Sequence, residues 1–89
     1  MNDGPNPLQR LSRTPLITEI AATRRWAREI TASDDLELFL NPQDAEGLEG
    51  WRLMEMPIFQ SIGVPQGTAL IFDRHTGQYI RRGDQLRAS

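Results

Sequence analysis

The sequence predicts a small α+β domain, with a mostly antiparallel or mixed sheet of about four strands flanked by one long and one short helix. Three observations lead to this fold class. The 89 residues allow a single domain, an apolar stripe with helical period lies between residues 16 and 30, and several short β-prone runs follow residue 36. We assign residues 14–86 to one α/β domain, residues 1–13 to a flexible N-terminal arm and residues 87–89 to a tail.

The N-terminal segment is rich in turn-forming residues. Gly4, Pro5 and Pro7 disfavour regular structure, which is typical of an arm that becomes ordered on a partner. Leu8 and Leu11 allow a second interpretation, in which the segment lies as a strap on the domain's own surface. The residues favour neither alternative over the other.

The long helix is predicted to begin after Thr14, a good N-cap, with Pro15 at the first helical position. The apolar positions that follow are spaced by four and three residues, so they form one stripe along the helix. The helix is expected to end near residues 32–35. The stripe consists of Leu16, Ile20, Thr23, Ala27 and Ile30.

A strand and a second helix are predicted next. The run Leu36–Leu40 is short and dense in apolar residues, as in a strand that is buried on both faces. Asn41 and Pro42 then repeat the pattern of a cap followed by proline, which predicts a short helix. This helix is expected to end around Gly47 to Gly50.

Three further extended segments complete the predicted sheet. Residues 52–61 are extended, with a bend or an edge position at Pro57 because proline cannot donate to a strand ladder. Residues 67–73 and 78–82 are predicted to be strands, joined by a hairpin-like turn over residues 74–77 that ends in glycine.

The composition argues against several classes of partner. The formal net charge is −2 and the pI is about 5.3, so the chain lacks the basic footprint of a nucleic-acid-binding protein. No apolar run approaches the roughly 20 residues of a membrane span, and the absence of cysteine excludes disulfides and thiolate metal sites. The first residues lack a signal-peptide pattern. We expect a cytoplasmic protein, in a host cell or in a virion, that binds neither nucleic acid nor membranes.

The sequence contains no persuasive catalytic pattern. The single histidine, His75, lies in a predicted turn beside Asp73, and two such residues do not make a metal site. Asp34, Asp35 and Glu37 form an acidic cluster of the kind common where a helix ends. The glycines lack the spacing of a phosphate-binding loop. We therefore predict no enzymatic activity, no catalytic residue, no cofactor and no metal.

Arginine, tryptophan and methionine supply the candidate partner-binding residues. All ten basic residues are arginines, whose planar guanidinium groups suit protein interfaces. Aromatic and methionine side chains are also favoured there. Core packing of the tryptophans and the methionine, and plain solvation of the arginines, stay open as alternatives. The candidates are Trp26, Trp51, Met54, Arg24, Arg28, Arg81 and Arg82.

One stretch has an order of features that resembles a known family. Residues 38–44, Leu-Phe-Leu-Asn-Pro-Gln-Asp, are followed by Leu48 and by residues 52–59, Arg-Leu-Met-Glu-Met-Pro-Ile-Phe. Residues 63–71, Gly-Val-Pro-Gln-Gly-Thr-Ala-Leu-Ile, and Asp73 come next. In this order they resemble the axial domain of tailed-phage major capsid proteins, the fold also used by encapsulin shells.

The resemblance implies a capsid axial-domain-like fold with a helix before the first strand. In that family the axial domain lies at the centre of each pentamer or hexamer and contacts its neighbours around the ring. This chain lacks the long spine helix, the extended loop and the peripheral domain of a whole subunit, and Met54-Glu55-Met56 replaces the usual leucine-x-glycine before proline. We do not expect it to tile a shell by itself.

Two functions follow as hypotheses. In the first, the chain is a small non-catalytic protein of a phage, prophage or satellite that binds the phage capsid protein and modulates capsid assembly. In the second, it is a small phage protein that binds a host protein and alters host physiology or defence. Both need a protein partner, and a homo-oligomer is a further alternative.

Overall fold

The computed structural model describes residues 7–81 and shows an α+β protein, in which helices pack against a mixed five-stranded sheet. The predicted fold class is confirmed, with one more strand than expected. The predicted tail, residues 87–89, lies outside the described residues. The elements are α1 (Pro7–Ser12), α2 (Leu16–Thr31), β1 (Leu36–Leu40), β2 (Arg52–Leu53), β3 (Met56–Gln60), β4 (Leu70–Asp73) and β5 (Gln78–Ile80).

Helix α1 occupies part of the segment that the sequence assigned to an arm. Leu11 is buried and Leu8 packs half-buried against the core. The Ser12 and Thr14 hydroxyls donate hydrogen bonds to the carbonyl oxygens of Leu8 and Leu11, at 2.9 and 2.7 Å. For residues 7–13 the structure therefore favours the strap on the domain's surface, whereas residues 1–6 lie outside the described part.

Helix α2 confirms the predicted long helix, but its start differs from the prediction. Because the Thr14 hydroxyl bonds back to α1, it does not cap α2, and Pro15 holds the N-cap position without a side-chain hydrogen bond. The helix ends at Ala32, which has a φ of 56° and donates its N–H to the Arg28 carbonyl at 2.9 Å. The buried stripe is Leu16, Ile20, Thr23 and Ala27, with Ile30 half-buried.

The sheet has the strand order β2-β3-β1-β4-β5. Strand β1 lies at its centre, parallel to β3 and antiparallel to β4. Leu38 of β1 pairs with Ile58 on one side and with Ile71 on the other. Both outer pairs, β2 with β3 and β4 with β5, are antiparallel hairpins of neighbouring strands, whereas the connections from β1 to β2 and from β3 to β4 each skip one strand of the sheet.

The predicted extended segment 52–61 is two strands rather than one bent strand. The chain reverses at Met54 and Glu55, whose φ values of 53° and 67° are both positive. Such a two-residue turn usually contains asparagine and glycine, because the left-handed region costs other residues about 1–2 kcal/mol each. Pro57 lies within β3, opposite Arg52, so the bend predicted there is wrong.

The second helix predicted after Asn41 is also wrong, since residues 42–47 form consecutive turns. Asn41 still caps the first of them: its side-chain oxygen accepts a backbone N–H two residues on, at 2.9 Å, and its carbonyl oxygen accepts those of Asp44 and Ala45. Gly47 then takes a φ of 79°, which ends the right-handed turn. The short helix of this fold is α1.

The core lies between α2 and one face of the sheet. Burial alternates along β1, where Leu36, Leu38 and Leu40 are buried and the intervening Glu37 and Phe39 are half-buried. The prediction that this strand is buried on both faces is therefore wrong. The other strands contribute Met56, Ile58, Ile71 and Ile80 to the buried face, and the turn segment adds Ala45 and Leu48.

Alternation along β4 gives a test of which sheet face is buried. Ile71 is fully buried and Leu70 is half-buried on the opposite face. We expect Ile71→Ala to lower the free energy of unfolding by about 2–5 kcal/mol, because it leaves a cavity in the core, and Leu70→Ala to lower it less. Urea denaturation of both variants checks this. A larger loss for Leu70→Ala would mean that the two faces are assigned the wrong way round.

Candidate protein-binding surface

The second face of the sheet is not covered by either helix of the described structure. It displays four aromatic side chains, which we call the aromatic face. Phe39, Phe59 and Tyr79 come from β1, β3 and β5, and Phe72 comes from β4, each at a position that alternates with a buried core residue. Phe59 is 39% exposed and Tyr79 is 60% exposed.

The strand register brings these four rings into contact with one another. Phe39 stacks on Phe59 with 5.3 Å between ring centroids, and meets the edge of Tyr79 at 6.1 Å. Tyr79 also contacts Phe72, tilted, at 4.7 Å. Such ring pairs each contribute about 0.5–1.5 kcal/mol beyond simple burial, so the cluster is held in one arrangement while its outer surface stays accessible.

Arginines border the aromatic face. Arg52 lies on it opposite Pro57 and donates a hydrogen bond to the Glu55 carbonyl oxygen at 2.8 Å. Arg74 approaches the carboxylate of Glu37 at 3.6 Å. At the other end of the sheet, Arg81 lines a shallow groove of about 540 Å³. The other residues that line this groove are Phe39, Ser61, Gly63, Val64, Leu70 and Tyr79.

The candidate residues chosen from the sequence fall into separate places. Arg24 and Arg28 line one groove with Met54, beside the exposed side of α2. Trp26 lies on the other side of the helix, roughly 200° around its axis from Arg24. The side chains of Trp26 and Met54 are both half-buried and pack against the core. Trp51 precedes β2 and is 38% exposed. Arg81 lies beside Tyr79 at the end of the aromatic face, and Arg82 lies outside the described residues.

Sequence reasoning missed the aromatic face itself. A dense apolar run is typical of a buried strand, so the pattern predicts no surface role for Phe39, Phe59, Phe72 or Tyr79. The sequence contains one signal of this face. Residues two positions apart lie on the same face of a strand, and each aromatic residue has a polar or exposed residue at that spacing. Phe39 follows Glu37 in this way, and Tyr79 precedes Arg81. The pairing of β1 with β3, which joins Phe39 to Phe59, has no such signal.

The ionisable groups of residues 7–81 are spread over separate parts of the fold. Within residues 7–81 no group of three or more histidine, aspartate or glutamate side chains is placed to hold a metal ion. His75 is exposed, in the turn between β4 and β5. Asp34 pairs with Arg28 at 3.1 Å, with both side chains largely in solvent. The predicted absence of enzymatic activity, cofactor and metal stays a prediction.

Asp73 is the one carboxylate of the described core, and its surroundings show a structural role. Its two oxygens accept hydrogen bonds from the His75 N–H and the Thr76 hydroxyl, both at 2.9 Å, which fixes the β4–β5 turn. Burial acts to raise the pKa of Asp73, but bonds from Thr76, His75, Ser33 and Thr31 outweigh burial and hold this pKa below its ordinary value.

No helix within residues 7–81 is both long and apolar enough to cross a bilayer.

No known protein family, no curated protein and no solved structure matches the chain. The likeness of residues 38–73 to capsid axial domains therefore rests on the order of sequence features alone.

The lowered pKa of Asp73 predicts a pH dependence of stability. Its carboxylate stabilises the fold above the pKa of the unfolded chain, about 3.9, and this stabilisation is lost as the pH falls through the lower folded-state pKa. We expect Asp73→Asn to lower the free energy of unfolding at pH 7 by about 1–3 kcal/mol. Melting curves recorded between about pH 7 and pH 2 should show that the melting temperature of the parent chain falls more steeply with decreasing pH than that of Asp73→Asn. Equal falls in melting temperature for the two chains would exclude this role of Asp73.

Proposed function

We propose that this chain is a non-catalytic protein-binding domain that acts in the cytoplasm and docks on its partner through the aromatic face. The observation that carries the proposal is the cluster of Phe39, Phe59, Phe72 and Tyr79 on the sheet face that neither helix covers. Contiguous apolar patches on a protein surface mark interaction sites, whereas single exposed apolar residues need no explanation.

The aromatic face is well suited to tight docking because its rings already pack against one another before the partner arrives. All four rings project from hydrogen-bonded strands, and each ring is held by at least one other ring of the cluster. Little conformational entropy is therefore lost on binding. Tyrosine is also enriched among the residues that dominate binding energy, and Tyr79 is the most exposed ring of the four.

The border of the face favours a partner with acidic residues around an apolar centre. Arg52, Arg74 and Arg81 border the described face, where Arg74 approaches Glu37 and Arg52 donates to the carbonyl oxygen of Glu55. Complementary charge at the edge of an interface guides the partner and sets its orientation more than it adds affinity. The apolar centre would then supply most of the binding energy.

Among protein partners we propose a tailed-phage major capsid protein, with modulation of capsid assembly as the consequence. The support is the sequence order over residues 38–73, which resembles the axial domain of that protein. An isolated domain of this type would offer a capsid subunit one contact surface without the remainder of the subunit, and so would cap or divert a growing ring. A host protein is the alternative partner, and it would use the same face.

The aromatic face can be removed without removing the core. We expect the double variant Phe59→Ser and Tyr79→Ser to stay folded, because both rings are partly exposed, and to bind its partner at least about tenfold more weakly. The measurement is co-sedimentation with assembling capsid protein from the phage or prophage that encodes the chain, together with the yield of closed shells. Circular dichroism verifies that each variant is folded.

Ile62→Ser is the control, because Ile62 is an apolar residue that is 89% exposed but lies in the connection between β3 and β4, outside the aromatic face. It should bind as the parent chain does. If the double variant binds capsid protein as well as the parent, the aromatic face is not the docking surface. If neither the parent chain nor the variants bind capsid protein or change shell yield, the capsid is not the partner. The host-protein alternative is then supported only if a host protein binds the parent chain and does not bind the double variant.

A further inference from the structure

A second surface lies on the helical side of the sheet, which we call the arginine groove. Arg24, Arg25 and Arg28 line it from the exposed side of α2, and Met54 lines it from the β2–β3 turn. The groove has a volume of about 590 Å³. Its remaining residues are Ala21, Glu29 and Ala32.

The guanidinium groups of the groove are only partly used within the described chain. The Nε–H of Arg24 is buried and donates to no acceptor among residues 7–81. Arg25 is exposed, and no ion pair engages it in the same range. Arg28 pairs with Asp34, but largely in solvent, where such a pair contributes little. A carboxylate that entered the groove could accept hydrogen bonds from the terminal guanidinium nitrogens of these arginines.

The residue choice at the β2–β3 turn also points to a role for Met54 beyond the turn. Met54 and Glu55 both take positive φ values, at a place where asparagine and glycine would be less strained. Strained backbone of this kind persists where the surrounding structure imposes it, and it clusters at functional sites. The methionine side chain is adaptable and is enriched at interfaces, and here it forms an apolar part of a cationic groove.

The chain also carries a segment of complementary chemistry, residues 46–51, which we call the acidic loop. Glu46 and Glu49 are exposed, and within residues 7–81 neither forms an ion pair. Trp51 follows them with 38% of its surface exposed. The loop therefore offers two free carboxylates and one aromatic anchor, where the groove offers arginines and a thioether.

We propose that the arginine groove binds the acidic loop of a second copy of this chain, so that the protein self-associates. Two carboxylates would meet Arg24 and Arg25, and Trp51 would lie against Met54. A nucleic acid is disfavoured because three arginines, one of them paired, neutralise few phosphates. The groove and the loop lie on one chain, so a twofold dimer would form each contact twice.

Self-association through the arginine groove leaves the aromatic face available. The groove is lined by α2 and the β2–β3 turn, whereas the aromatic rings project from the opposite face of the sheet. A dimer would present two aromatic faces, and a partner with repeated binding sites, such as an oligomer, would be held with greater avidity than by one copy.

Charge reversal with complementation tests this interface. One variant carries Arg24→Glu and Arg25→Glu, and the other carries Glu46→Arg and Glu49→Arg. We expect each alone to raise the dimer dissociation constant at least about tenfold, because like charges then face each other. An equimolar mixture should regain association, since the contact between the two different chains again joins opposite charges. Sedimentation equilibrium measures both, and circular dichroism verifies folding.

The outcomes either support the interface or overturn it. Weakened association in each reversed variant, with recovery on mixing, supports it. A parent chain that stays monomeric up to about 0.5 mM overturns it, and so does a mixture that does not recover although both variants are folded. The Phe59→Ser and Tyr79→Ser variant is the control and should still dimerise. Its failure to dimerise would place the self-association on the aromatic face and would also overturn the proposal.

Discussion

The packing of helix α2 against one face of the sheet determines both the stability of this fold and the surface that it leaves for binding. The stripe from Leu16 to Ala27 covers the buried face around Leu38, Ile58 and Ile71, and α1 adds Leu11 to the same core. Both described helices therefore pack on the same side of the sheet. The other face keeps its aromatic residues, and their rings stabilise one another instead of being buried under a helix.

This one-sided arrangement separates two kinds of chemistry. On the sheet face the rings form an apolar centre with arginines at its border, which suits a protein partner. On the helical side the exposed surface of α2 and the β2–β3 turn form a cationic groove, which suits a carboxylate-bearing segment. The buried carboxylate of Asp73 belongs to neither surface, because its oxygens are committed to the turn between β4 and β5.

The parts of the fold that the sequence predicts are those set by local pattern. The apolar period of 3.6 predicted α2, and residues 74–77 predicted the β4–β5 turn, in which the Gly77 N–H donates to the Asp73 carbonyl at 2.7 Å. The open questions and the errors arose where tertiary contacts decide. Helix α1 depends on burial of Leu11, and two leucines in a polar segment fit a free arm and a strap equally well. The turn at Met54 lacks the expected glycine or asparagine, so nothing local marks it.

The candidate site was predictable only in part, for the same reason. Arg24, Arg28 and Met54 were selected for their residue types, and the fold brings all three into one groove. The aromatic face depends on which face of β1 the helix covers and on the parallel pairing of β1 with β3. The spacing of residues along the chain predicts neither of these two features, because the run Leu36–Leu40 is equally compatible with a strand that is buried on both sides.

Hydroxyl-radical footprinting of the isolated chain, read out by mass spectrometry, tests the central claim most directly. If the second sheet face is open, Tyr79 and Phe59 should be oxidised rapidly, while the buried Met56 should be protected in spite of its reactive sulfur. Addition of the partner should slow oxidation at both rings and leave Met56 unchanged. Protection of Tyr79 and Phe59 in the free chain, to the level expected of core residues, would contradict an open aromatic face and the binding function built on it.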